Sequence, residues 1–236
     1  MRLTAHQPAY LPGPRLLHKL ASCDAFVLLD HLPWSHGSFE ARNKIRTAQG
    51  EQWLSVPVLH GAQAHADMLV APGNWTRKHY RAIEMNYARA NYWPGIKDDI
   101  AHLYARLKEE PRIVEVCEMT LEPLFLELVV GGHHDYYRSS EMETSGSGWE
   151  MLLGLCNSLG ATEFLFGGCG RGYMTEQATR AFLDAGVKPL YQTWHVREYR
   201  QCYEPFMGDM SALDILLNLG PHDGAELVAQ SGGWAE

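Results

Sequence analysis

The sequence predicts an α/β fold: a largely parallel central sheet with flanking helices and a helical insertion in the middle third. Two stretches carry that expectation, residues 2–30 and the last hundred residues, where short apolar runs alternate with segments of helical periodicity. The third observation is the stretch between them, where apolar residues recur every three to four positions from Trp75 onward. At 236 residues the chain can bury a full core, and its composition shows no linker. It is therefore read as a single α/β domain over 1–236 with the helical insert at about 75–131.

Residues 2–5 form a short strand that stops at HQPAYLPG, where two prolines interrupt any regular element. A helix follows over 14–22, because proline is tolerated in a first turn and Leu16, Leu17 and Leu20 form an apolar stripe. DAFVLLDH is a strand buried on both faces with Asp30 at its carboxyl end, which completes a first βαβ unit. RNKIRT and EQWLSVPVL, joined by a QG turn, read as a hairpin whose second strand lies at an edge because of Pro57. Trp75, His79, Ile83 and Tyr87 mark one helix, and Ile96, Ile100, Leu103, Tyr104 and Leu107 a second. Residues 111–132 supply a third, kinked at Pro123 and ended by Gly131 and Gly132.

Alternation then returns: strand HDYYRSS, helix GWEMLLGLCNSLG closed by Gly160, strand ATEFLFGG, helix TEQATRAFLDAG and strand VKPLYQ. The tail SGGWAE is expected to be loose. In a parallel sheet of this kind ligands sit beyond the carboxyl ends of strands. That edge would gather the HQP corner, Asp30, Ser139, Ser140, the 167–172 loop, Tyr191 and Gln192.

A net charge of -8, with 20 Lys and Arg scattered among 28 acids, argues against a nucleic-acid partner and for a small-molecule substrate. Five cysteines at irregular spacing without a CxxC give neither a disulfide framework nor a zinc site, which fits a reducing cytoplasm. The start MRLTAHQP lacks an apolar signal core, and no run approaches the roughly 20 apolar residues of a membrane helix. No membrane insertion, a cytoplasmic location and no metal or other cofactor are the expectations.

Pro8 and Pro12 are expected to hold Gln7 and Leu11 extended, which would present His6, Gln7 and Tyr10 with little conformational freedom. The alternative is a plain strand-to-helix turn. FGGCGRGY follows an apolar strand and precedes a helix, so Gly168 and Gly170 would bring backbone N–H groups toward an anion or a carbonyl oxygen. The same helix terminus would favour a thiolate at Cys169, whose alternative role is a small residue in a tight loop. Neither GxxxxGK nor GxGxxG is met. A nucleophilic Cys169 needs a base, and the candidates are His6 and His195. Arg42 with Asn43, and Lys78 with His79, are polar pairs near aromatics; Arg42 suits a carboxylate or phosphate, and Lys78 reads first as a solvated helix face. His133 and His134 would point to opposite faces of a strand, against joint metal coordination.

With these segments in place the chain resembles the WbqC-like family of bacterial proteins. The resemblance rests on HQPAYLPG, DAFVLLDH, ARNKI, WLSVPV, WTRKHY, RSSE, FGGCGRGYM, the YQ pair at Tyr191 and SALDILLNLGP, in order over about 215 residues. It implies functional positions at His6, Gln7, Tyr10, Asp30, Arg42, Asn43, Lys78, His79, Ser139, Tyr173, Asp214 and Asn218. The family's loop reads more like SGxxGxxY, so Cys169 departs from it. The resemblance also implies a setting in surface-polysaccharide or secondary-metabolite biosynthesis, where some members are described as glycine or acyl transferases.

The leading expectation is an acyl- or aminoacyl-transferase drawing on a carrier thioester, with an acyl-carrier protein as the candidate donor partner. His6 or His195 would be the base, the glycine loop the oxyanion site and Cys169 an optional covalent station. The substrate-binding set is Gln7, Tyr10, Asp30, Arg42, Asn43, Lys78, His79, Ser139, Gly168, Gly170, Tyr173 and Gln192. A noncatalytic sugar-nucleotide or carrier-protein binding module, with Trp34 and Tyr10 as stacking surfaces, is the second reading, and a thioester hydrolase the third.

Overall fold

A computed structural model describes residues 1–34, 37, 39–59, 61–125, 135–172 and 174–236. In chain order the first elements are β1 (Arg2–His6), α1 (Pro14–Ser22), β2 (Ala25–Leu28) and the hairpin β3 (Arg42–Thr47) and β4 (Gly50–Ser55). Three helices follow, α2 (Trp75–Tyr87), α3 (Trp93–Leu107) and α4 (Ile113–Phe125). The alternating second half is β5 (Asp135–Arg138), α5 (Gly148–Leu159), β6 (Glu163–Phe166), α6 (Glu176–Asp184), β7 (Lys188–Trp194), α7 (Ala212–Ser231) and β8 (Gly232–Ala235).

Six of these strands form one sheet in the order β5-β2-β1-β6-β7-β8, and β3 pairs with β4 outside it. The five strands from β5 to β7 are mutually parallel, and β8 runs antiparallel to β7. The fold is therefore the expected α/β class with a largely parallel sheet. From β1 the chain moves outward through β2 to β5, then crosses to β6, β7 and β8 on the other side. Connections thus leave β1 and β6 in opposite directions, which opens a crevice beyond their carboxyl ends.

Strand residues alternate between two apolar layers, as a pleat with period two requires. Leu3, Ala5, Ala25, Val27, Phe164 and Phe166 face one core with α5 and α6. Phe26, Leu28 and Leu165 face the other, which they share with α1, the middle helices and α7. Both faces of the sheet are covered, so β2 is buried along its whole length. The helical stripe of Trp75, His79, Ile83 and Tyr87 is buried as its spacing predicts, and Ile100, Leu103, Tyr104 and Leu107 bury the matching face of α3. Of the third helix, residues 113–125 are helical through Pro123, and the expected stop at Gly131 and Gly132 lies outside the described residues, as do His133 and His134.

Two local expectations are corrected. The tail SGGWAE is not loose: Gly232–Ala235 is β8, with Trp234 stacked on His18 of α1 at 5.2 Å between ring centroids. Glycine hides this in the sequence, yet it is what the contact needs, since a Cβ at Gly232 would fall 2.3 Å from the His18 ring. Leu11 is not extended before Pro12; it takes φ 43, in the left-handed region. Tertiary bonds hold it there: its N–H donates to Thr120 Oγ1 at 3.2 Å and its carbonyl accepts from Asn43 Nδ2 at 2.6 Å.

Candidate functional site

At the crevice the ladder between β1 and β6 runs only through Arg2 with Glu163 and Leu3 with Phe164, whereas β1 stays in register with β2 as far as His6 and Leu28. Beyond Leu3 the two strands part, and side chains take over the freed backbone. Thr4 Oγ1 donates to the Leu165 carbonyl at 2.8 Å. The Arg2 and His6 carbonyls accept from Asp24 and Leu29 on the β2 side, so the Ala5 carbonyl, of opposite parity, faces β6. There the Lys19 ammonium meets it at 2.8 Å.

A cavity of about 420 Å³ opens at the carboxyl end of β1, lined among others by His6, Arg15, Phe39, Asn43, Lys44 and Asp209. A larger hollow of about 640 Å³ lies between α6 and β7, but its charged groups satisfy one another. There Arg171 stacks on Tyr191 at 4.6 Å and donates to the Glu236 carbonyl, while Lys188 pairs with the Glu236 carboxylate. The smaller cavity is the better candidate because a titratable residue with an unused ring nitrogen is among those that line it.

That residue is His6. Its Nδ1 lies 2.7 Å from the Gln7 carbonyl, which can only accept, so Nδ1 carries the proton and Nε2 is left as a lone pair. Burial first and the nearby Lys19 charge second lower its pKa to about 4, against the opposing Gln7 bond and Glu40. The ring is therefore neutral at pH 7. Asn43, also on the cavity wall, is locked by its bond to Leu11 and by accepting the Lys44 N–H at 2.8 Å. Lys44 pairs with Glu51 at 2.8 Å and Arg15 with Asp209 at 3.2 Å across the rim. Phe39, 50% exposed, and Trp53, 37% exposed, lie 5.5 Å apart beside it, with the Arg42 guanidinium 4.3 Å over the Trp53 ring.

The other expected residues fall into separate places. Tyr10 and His79 are brought together but inside the protein: the Tyr10 hydroxyl is 2.8 Å from His79 Nδ1 and 2.6 Å from the Tyr104 hydroxyl. They bolt the corner to α2 and α3, and burial lowers the pKa of His79 to about 4. Asp30 and Ser139 also meet. The buried Asp30 carboxylate accepts from Ser139 Oγ at 3.0 Å, Ser140 N at 2.8 Å and Ser140 Oγ at 2.6 Å, which ties the end of β5 to the end of β2. Gln192 is buried and donates to the Arg15 carbonyl at 2.9 Å, fixing the first turn of α1 against β7. Lys78 is exposed in a different hollow, with Arg77 and Arg81.

Gly168, Cys169 and Gly170 lie on the short 3₁₀ turn Gly168–Gly172 after β6. The Gly170 N–H is used within the turn, donating to the Gly167 carbonyl at 2.8 Å. Cys169 is exposed, and among the described residues no hydrogen bond joins it to a histidine. His195 is exposed, with its N–H on the Ser231 carbonyl at 2.8 Å. Neither lines the cavity at His6, and Tyr173 lies outside the described residues. Sequence reasoning missed Arg15, Lys19, Phe39 and Lys44. For Lys19 a signal exists: it sits three residues from Leu16 on the apolar stripe of α1, a place where a lysine is out of pattern.

Among the described residues no group of three or more His, Cys, Asp or Glu is arranged to hold a metal, and no helix is long and apolar enough to cross a membrane. Fold and cavity together define a doubly wound α/β protein with a candidate cavity at the carboxyl end of its first strand. More particularly, the chain belongs to the WbqC-like protein family, whose sequence model matches residues 7–226. It is 28% identical over 218 residues, 91% of this chain and 92% of the other, to the uncharacterized protein Rv1507c of Mycobacterium tuberculosis. No solved structure matches it.

Proposed function

We propose that the protein is an acyl- or aminoacyl-transferase that moves an acyl group from a carrier-type thioester to an amine or hydroxyl of a small acceptor in the cavity at β1. The observation that carries the reading is His6, a cavity-lining residue whose protonated Nδ1 is tied to the Gln7 carbonyl, which leaves the neutral imidazole its Nε2 lone pair. The acceptor nitrogen or oxygen attacks the thioester carbonyl, the new C–N or C–O bond forms, and its proton passes to Nε2. As the C–S bond breaks, the same proton leaves with the thiolate as a thiol. A base of such low proton affinity suits an amine acceptor, because the ammonium formed on attack is far more acidic than the free amine. Lys44 keeps two of its three N–H groups beyond the Glu51 pair, which supports a role in meeting the developing oxyanion.

Direct transfer fits better than a relay through Cys169, which is exposed outside the cavity lining. The biosynthetic setting, in polysaccharide or secondary metabolism, comes from the family resemblance. The test is thiol release and product mass with a panel of acyl-pantetheine thioesters and small amines and alcohols. His6→Gln is expected to lower the rate by roughly 10²–10⁴-fold, while Cys169→Ala stays near the parent rate. An acyl adduct on Cys169, or a His6→Gln rate equal to the parent, would overturn this form of the mechanism.

One observation favours a binding module instead: the exposed Phe39 and Trp53 pair offers a stacking platform that needs no chemistry. Tyr10 is fully buried and presents no face to a ligand. Saturable ligand binding without thiol release would support that reading, and thiol release without an acceptor would point to a hydrolase.

A further inference from the structure

Lys19 is 4% exposed, and among the described residues no carboxylate lies within ion-pair distance of it. Burying an ammonium without a counter-ion is costly, so an acidic partner or exposure would be the ordinary outcome for a lysine on a helix. What it has instead is the Ala5 carbonyl, one residue before His6, at the point where β6 no longer supplies a ladder N–H. An apolar residue here would complete the α1 stripe and leave that carbonyl unsatisfied.

We infer that Lys19 is a positioning residue for His6: it closes the splayed end of β1 from beneath and sets a positive charge beside the imidazole. The inference rests on the reading of His6 as the base. Holding Ala5 fixes the backbone that aims the ring, since the next carbonyl is pinned to Leu29 at 2.8 Å and the one after to His6 Nδ1. The nearby charge disfavours imidazolium, which helps to keep Nε2 an acceptor at neutral pH. Lys19 itself is lowered to about 8 by burial. Of the other charged groups, Glu40 acts on His6 in the opposite sense, while Lys44 and Arg15 on the cavity wall are paired with Glu51 and Asp209.

The test is the titration of the His6 ring by NMR in protein labelled on its histidine rings, with the resonance assigned by its loss in His6→Gln. In Lys19→Met the His6 midpoint is expected to rise from about 4 by about one pH unit or more. In Lys19→Arg, which keeps the charge, it should stay within a few tenths of the parent. Should Lys19→Met fail to fold, the parent protein still decides: its His6 resonance is expected to show a second inflection near pH 8, as Lys19 discharges, and Lys19→Arg to lack it. An unmoved midpoint in folded Lys19→Met, or a parent resonance flat through pH 8, overturns the inference. Neither reading needs turnover, so a failed transfer assay beside the expected titration would remove the reaction and leave the Lys19–His6 pairing standing.

Discussion

Asp214→Ala is expected to destabilise the protein by about 3–5 kcal/mol, the cost of removing one partner from a buried charged network. Asp214 opens α7 behind its Ser211 cap and has no exposed surface. One carboxylate oxygen accepts from the Tyr87 hydroxyl at 2.8 Å, the other from the Tyr199 hydroxyl at 2.6 Å and Gln201 Nε2 at 2.8 Å. Those donors come from α2 and from the segment before α7, so one side chain joins three parts of the chain. Burial pushes the carboxyl pKa up, while the three hydrogen bonds and the Arg46 guanidinium favour the anion. Alanine would leave two tyrosine hydroxyls without an acceptor in a dry interior, each costing about 1–3 kcal/mol, and Gln201 Nε2 with the Met207 carbonyl at 2.9 Å in place of two acceptors. Urea unfolding at pH 7.5 measures it, with Tyr199→Phe as the smaller comparison at about 1 kcal/mol. A loss under 1 kcal/mol for Asp214→Ala would show that the donors find other partners.

That network also marks where sequence reading stops. The strands and helices were legible because each announces itself locally: Pro14 with Leu16, Leu17 and Leu20, or the four-residue recurrence from Trp75 to Tyr87. His6 was legible too, set between an apolar strand and two prolines. The pairings that give residues their roles span too great a sequence distance for any window. Tyr10 finds His79 69 residues away and Tyr104 94 residues away, and Asp30 finds Ser139 across 109. The sequence identified those residues as special without saying that their polar groups are turned inward, on each other. Leu11 and the SGGWAE tail were misread for the same reason: a local rule about proline or glycine lost to tertiary contacts with Asn43, Thr120 and His18.

The two buried histidines make acid the condition most harmful to this fold. His6 and His79 are each lowered from 6.5 to about 4 in the folded protein. Between those values the unfolded chain binds a proton at each site that the folded chain does not, so stability falls as pH falls and levels off below about 4. At pH 4.5 the loss relative to pH 7.5 is about 2.5 kcal/mol per histidine, or about 5 kcal/mol for the pair, a large share of a typical folding free energy. His18 and His31, also lowered by burial, add in the same sense, and Asp214, pushed up, works against it. Lys19 contributes nothing in this window, since it is charged in both states; its effect is a rise in stability from about pH 8 upward. Urea midpoints at pH 7.5, 6.0 and 4.5 would trace the fall. His6→Gln, which removes one titrating site from the folded and unfolded chain alike, is expected to shallow it by about 2.5 kcal/mol. A parent protein equally stable at pH 7.5 and 4.5, with His6→Gln equally flat, would count against the lowered histidine pKa values, and with them the weakly basic His6 on which the transfer chemistry is built.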